Sequence, residues 1–335
     1  MTCIPTEAHD MLSVAVFAVW SHSVSTPILV GAHMTAEPPH RTSTTAVAPT
    51  WRDGAAAIAM LTFAVDAETP VLAAGRRHAD NAMAMTHQAF DARRGLPRLL
   101  GILDEFDIKA TFFVPGFSAE RWPDAVTDIA TRGHDICHHS YSHRPATELT
   151  LAEERWEFER GSEALAALGI TPSGYRSPMW AATWNSAELA VEHGLTYDTS
   201  LMDDDRPYII ETPRGPLVEL PPHWSLDDWE QYAYLPSPHL GYVIEPPEKA
   251  LALWTAELDG LREFGGLFQL TAHSFLSGRA GRARNMRKMI ETILDRGDVK
   301  FKTGSELRDA VLADPTIDRR KHEPVVVDPV AYPKW

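Results

Sequence analysis

From Ala57 onward the chain alternates short apolar runs with longer amphipathic ones, and this alternation restricts the fold more than any other feature of the sequence. AIAMLTFAVD, beginning at Ala57, is apolar almost throughout and reads as a buried strand. RRGLPRLLGILDEFDI carries apolar residues at three- and four-residue spacing and reads as a helix. KATFFVP follows as a strand, RWPDAVTDIATRG as a helix ended by Gly133, and HDICHH as a strand. The order continues with the helix LAEERWEFERGSEALAALG, a short strand near GYRSP, the helix NSAELAVEHG and the strand LTYDTS. PEKALALWTAELDGLREFG is a helix, GLFQLTAH a strand and RARNMRKMIETILDRG a helix, and VKFKTGSELRDAVL closes the series as strand and helix. Repeated β-α-β units predict a mostly parallel sheet covered by helices, closed as a barrel or open. Sequence repeats of fixed period are absent, which argues against a solenoid.

The chain of 335 residues suits one large α/β domain, expected over residues 56–335. Residues 1–55 read differently. MTAEPPHRTSTTAVAPT is rich in Pro, Thr, Ser and Ala with no period, so this stretch is expected to be a disordered or loosely attached extension. Upstream of it, MLSVAVFAVWSHSVSTPILV lacks a basic flank and follows Glu7 and Asp10, a poor export signal and a poorer membrane span; Met34 is a candidate alternative start. The formal charge of −15, from 46 acidic and 31 basic residues, disfavours nucleic acid or an anionic membrane as partner. Cys3 and Cys137 form no readable disulfide framework, and a cytoplasmic location is expected. Residues 206–247, rich in Pro and Trp, interrupt the β-α alternation at a length typical of a lid or binding feature.

The polar residues fall at strand ends. Asp66 ends the first strand, His139 and His143 follow the third, Arg176 ends GYR, and His273 ends FQLTAH. In a parallel barrel these carboxyl ends share one face, where active sites are built. One carboxylate and two imidazoles, the latter spaced His-Ser-Tyr-Ser-His, make a set that leaves positions open on a divalent metal, zinc above all. His134 and His138 have no partner at ligand spacing and read as hydrogen-bonded structural residues. Trp180, Trp224 and Trp229 are candidate substrate-binding aromatics, the last two equally readable as core or interface residues.

TFAVDAE, GHDICHHSYSHRP, GYRSPMW, LPPHW and LTAHSF resemble, in order, the motifs of the polysaccharide deacetylase superfamily, the NodB-homology or carbohydrate esterase family 4 fold, over about residues 57–310. VDAE, SLMDDDRPY and WSLDDW resemble the branch with cyclic imidases, metal-free allantoinases and peptidoglycan-deacetylase-like proteins more than they do secreted chitin deacetylases. The resemblance implies an irregular (β/α) barrel, with Asp66, His139 and His143 as metal ligands. It further implies His273 as the acid that protonates the leaving nitrogen, and Arg176 as the partner of a catalytic carboxylate. One position departs from the pattern: where the family carries its basic carboxylate, two residues before Asp66, stands Ala64. Three readings follow: Glu68 replaces the base, the metal acidifies the water without one, or the site is impaired.

The expected function is hydrolysis of a non-peptide C–N bond in a small cyclic imide, ureide or N-acetyl sugar. The alternatives are a peptidoglycan- or chitin-type N-deacetylase and a non-catalytic binding protein that keeps the fold. The branch also implies a homo-oligomer, dimer or tetramer.

Overall fold

The inner spine of the fold is the strand β1 (Ala57–Ala64), all eight residues of which are buried, as a strand with parallel neighbours and cover on both faces must be. The computed structural model describes residues 49–328 and 331–332. After β1 come β2 (Thr111–Val114), β3 (Asp135–His138), β4 (Gly174–Tyr175), β5 (Tyr197–Asp198), β6 (Tyr208–Thr212) and β7 (Gly215–Glu219). β8 (Tyr234–Pro236), β9 (His239–Tyr242), β10 (Leu267–His273), β11 (Val299–Phe301) and β12 (Arg319–Lys321) complete the series.

The main sheet runs in the order β10-β1-β2-β3-β4-β5-β7-β6-β12, with β11 also paired to β1. Its ladders are parallel except for the hairpin β6–β7. Among the described residues no ladder joins β10 to β12, so the expected barrel is an open one. The cause lies in residues 206–247: instead of one structureless loop they form the hairpins β6–β7 and β8–β9 and two short helical turns, replacing a β-α unit by antiparallel returns.

The expected helices are present at Leu96–Glu105, Pro123–Thr131, Leu151–Ala166, Pro247–Phe264, Ala280–Arg296 and Gly304–Leu312. Their ends are set locally. Thr150 with Glu153, and Thr303 with Glu306, form reciprocal capping boxes, while Gly265 and Gly297 close two long helices in the left-handed conformation.

β1 divides its side chains with the period of a strand. Ala59, Leu61 and Phe63 pack with Leu100, Phe112 and Ile290 under the helices, whereas Ile58 and Met60 face a second cluster with Phe113, Tyr197 and Leu307. Further along this second face stand Thr62 and then Ala64. The apolar face thus turns polar toward the carboxyl end, where the functional residues gather.

Residues 1–48, with Cys3, Met34, the apolar upstream stretch and most of the expected extension, lie outside the described residues. The folded chain nevertheless begins before residue 56: Trp51 is buried in the second cluster, and Asp314 accepts hydrogen bonds from the backbone N–H groups of Thr50 and Trp51 at 2.5 and 3.0 Å. Among the described residues no helix is long and apolar enough to cross a membrane. Asp314→Ala should strip these donors of their acceptor and lower stability by about 2 kcal/mol, read as a lower urea midpoint at unchanged slope; an unchanged midpoint would place no stability in this clasp.

Candidate active site

Just past β1 the backbone turns through Ala67 at φ 48°, and this leaves Asp66 pointing into the protein. Its carbonyl oxygen accepts from Ser118 Oγ at 2.6 Å and Thr69 Oγ1 at 2.7 Å. Its carboxylate is fully buried, and neither oxygen has a hydrogen-bond donor. Instead His139 Nε2 lies 3.7 Å from Oδ1, and His143 Nε2 lies 3.6 Å from Oδ2. A buried carboxylate without donors is costly unless a cation completes it. Two imidazole nitrogens and one carboxylate, all within 4.8 Å of one another, are a donor set suited to a divalent metal.

The local chain builds this set. His139 follows β3, and its Nδ1–H donates to the carbonyl of Arg176 at 2.7 Å, which leaves the Nε2 lone pair facing Asp66. Ser140 at φ 57° and His143 at φ 63° are left-handed, and this curl returns the second ring to 5.0 Å from the first. Non-glycine residues pay a steric penalty there, so the loop must be held. Glu157 accepts from the N–H groups of Tyr141 and Ser142 at 2.8 and 2.7 Å. Gly161 lets the helix approach, since a Cβ there would stand 2.5 Å from His138 Nε2. Burial lowers the pKa of His139, with His143 adding to the effect. Burial also lowers that of His143, against the pull of Asp66, so both rings are held neutral, the form that binds metal. His138 and His134 are structural, bonded to Phe158 O and to Ala110 N respectively.

His273, at the end of β10, is a different kind of histidine. Asp228 accepts from its N–H at 3.0 Å and from Nδ1–H at 2.7 Å, and Ser277 Oγ donates to the same carboxylate. Asp227 Oδ1 lies 3.5 Å from Nδ1, and Nε2 points toward Asp66 Oδ2 at 3.7 Å. Burial alone would lower the pKa of this ring, but Asp227, Asp228 and Asp66 together raise it to about 10. At neutral pH it is a proton donor. Asp227, Asp228 and His273 are also close enough to hold a cation, but Asp228 is already saturated with donors. Sequence reasoning missed both acids as functional groups, although the WSLDDW passage containing them had been singled out.

These groups open into one cavity of about 350 Å³, reached by Ala64, His139, His143, Arg176, Asp227 and His273. Trp180, Trp224 and Trp229 form part of its walls. Trp180 and Trp224 meet edge to face at 4.7 Å, and Trp229 stands 5.3 Å from the His273 ring. Leu240 of β9 also lines it, so the 206–247 passage contributes several of the lining residues. Arg176 is buried, and its burial lowers the guanidinium pKa to about 10 against the field of Asp227.

Glu68 is the exception among the expected site residues. It is buried, but Arg121 Nε and Trp122 Nε1 each donate to its carboxylate at 2.8 Å, and it does not line the cavity. The turn at Ala67 thus points the Glu68 side chain toward Arg121 and Trp122 rather than into the cavity.

A family profile described as Polysaccharide deacetylase matches residues 76–197. A peptidoglycan deacetylase of Helicobacter pylori is 28% identical over 250 residues, covering 67% of this chain and 85% of that protein. The crystal structure of a Mycobacterium smegmatis protein assigned to the polysaccharide deacetylases is 43% identical, with a TM-score of 0.80 over 84% of this chain and 99% of that one. An allantoinase structure shares the fold at 21% identity and TM-score 0.69, covering 79% of this chain and 93% of that one.

From the donor set, purified protein should carry a divalent cation, and His139→Ala should lose most of it by elemental analysis. Stoichiometric metal in that variant would remove His139 from the ligands.

Proposed function

Because the chain belongs to the polysaccharide deacetylase family, we propose that it hydrolyses a non-peptide C–N bond in a small substrate: a mono- or disaccharide acetamide, a cyclic imide or a ureide. The observation that supports this most is the shape of the site. A cavity of about 350 Å³, within the size range of small-molecule pockets, has a cationic proton donor beside the Asp66, His139 and His143 set and walls that include three indoles.

Asp66, His139 and His143 would hold the metal, zinc by the chemistry of the donors. When bound, such a cation supplies Lewis acidity, polarising a carbonyl and lowering the pKa of water. The chain's own groups do the rest. Asp228 holds His273 by Nδ1–H, so that Nε2–H faces the cavity and can pass its proton to the departing nitrogen. The indoles of Trp180, Trp224 and Trp229 exclude water and offer flat surfaces for a ring to stack on. The same proposal has the protein cytoplasmic and acting as a dimer or tetramer, which rests on the resemblance to the imidase branch.

A second reading, deacetylation of peptidoglycan or chitin, is favoured by the similarity to the peptidoglycan deacetylase along most of its length. Met179 and Trp224, 63% and 46% exposed at the rim, would then meet neighbouring sugars. The third, an impaired site, is favoured by Ala64.

Purified protein should open a small imide or ureide, or release acetate from a mono- or disaccharide, faster than it deacetylates long N-acetylglucosamine oligomers; the reverse order would replace the small-substrate reading with the cell-wall one. Ala64→Asp should raise the rate on the order of 10²-fold, the usual worth of a general base, while Glu68→Gln, away from the cavity, leaves it nearly unchanged. A flat response to the first and a collapse with the second would restore Glu68 as the base.

A further inference from the structure

We propose that the guanidinium of Arg176 and the open volume over Ala64 form a binding site for a small monocarboxylate, carried by the substrate or taken from solution. Arg176 is 3% exposed, yet among the described residues no carboxylate lies within ion-pair distance of it. Its Nε donates to Thr199 Oγ1 at 2.8 Å and its Nη2 to Thr62 Oγ1 at 3.1 Å. The face of Phe113 lies 4.0 Å from the guanidinium carbon. Nη1 has no partner at all. Two neutral hydroxyls and a ring fix the position of this cation without neutralising it, and a buried, unpaired charge is among the more costly features a fold can keep.

Two of the three groups that hold Arg176, Thr62 and Phe113, are neighbours of Ala64. Thr62 precedes Ala64 by two residues and so shares its face of β1. Phe113 is opposite Ala64 on β2, and His273 is opposite it on β10. Ala64 and Arg176 both line the cavity, and alanine offers only a methyl group there. The volume over that methyl belongs to the same cavity that Arg176 and His273 line.

The chemistry of the ligand follows. With Nε and Nη2 already donating to threonines, the unpartnered Nη1 offers a single charge-assisted hydrogen bond, which suits a small singly charged oxyanion better than a bulky dianion, and Asp66 and Asp227 nearby oppose a second negative charge. A carboxylate is the fitting class. The site rests on this geometry alone; only the step from a free carboxylate to one borne by the substrate rests on the hydrolytic reading.

The test is the thermal midpoint of the purified protein in formate against chloride at equal ionic strength. Saturating formate should raise the wild-type midpoint by roughly a few degrees, as a ligand of the native state does. Ala64→Asp should raise the midpoint without formate and abolish the response. Ala64→Asn fills the same volume without charge and should abolish the response with no such gain, so the proposal survives a folding failure of either variant. His139→Ala, which disables the metal set, should respond like wild type. No response in the wild type, a full response in both Ala64 variants, or a response lost with His139→Ala would overturn the proposal, the last because formate would then sit on the metal. Turnover separates the sources: formate raising KM at constant kcat for a carboxylate-bearing amide assigns the site to the substrate, and formate accelerating a neutral amide assigns it to a free carboxylate. Formate leaving both substrates unchanged would count against the site.

Discussion

A carboxylate buried without a single hydrogen-bond donor is the constraint around which this structure is arranged. Asp66 is fully buried with both oxygens unbonded, and three imidazoles from two distant parts of the chain approach it at 3.6 to 3.7 Å. Removing charge from water is expensive, and the expense is tolerable only where opposite charge or a metal is delivered in return. The parallel sheet makes that delivery geometric: β1, β3 and β10 end on the same side, so residues two hundred positions apart meet at one depth.

The three imidazoles are not equivalent, and their hydrogen bonds differentiate them. His139, buried and donating from Nδ1 to a neutral carbonyl, is held neutral, the form a metal ligand needs. His273 donates from Nδ1 to the Asp228 carboxylate with Asp227 close by, and is held as a cation. Equally buried rings thus differ in charge because carboxylates stand behind only one of them. His143 takes its role from the backbone instead, through the left-handed turn that Glu157 holds in place.

Polarity along the inside of the sheet separates stability from function. Ile58 and Met60 seal one end against Phe113, Tyr197 and Leu307, and Thr62 and Ala64 begin the other. From β1 the guanidinium of Arg176 meets only the neutral hydroxyl of Thr62, since the next residue on that face is an alanine. With alanine there, no carboxylate of β1 pairs with Arg176, a residue that lines the cavity.

The sequence alone determined the layered α/β architecture, because strand and helix periods are local and apolar runs declare their burial. It also located Asp66, His139, His143, Arg176 and His273, since in a parallel sheet the end of a strand is itself an address. Only the tertiary structure decided the rest. The family profile ends at residue 197, short of Asp228 and His273, whose pairing spans forty-five residues and has no local period to reveal it. Glu68 sits two residues from Asp66 yet faces Arg121 and Trp122, because one left-handed residue, Ala67, turns the chain between them. The hairpins within 206–247 were illegible for a related reason: antiparallel returns are stabilised by cross-strand pairing and by packing such as Leu235 and Leu240 against Val71 and Ala84, contacts that no single window of sequence contains.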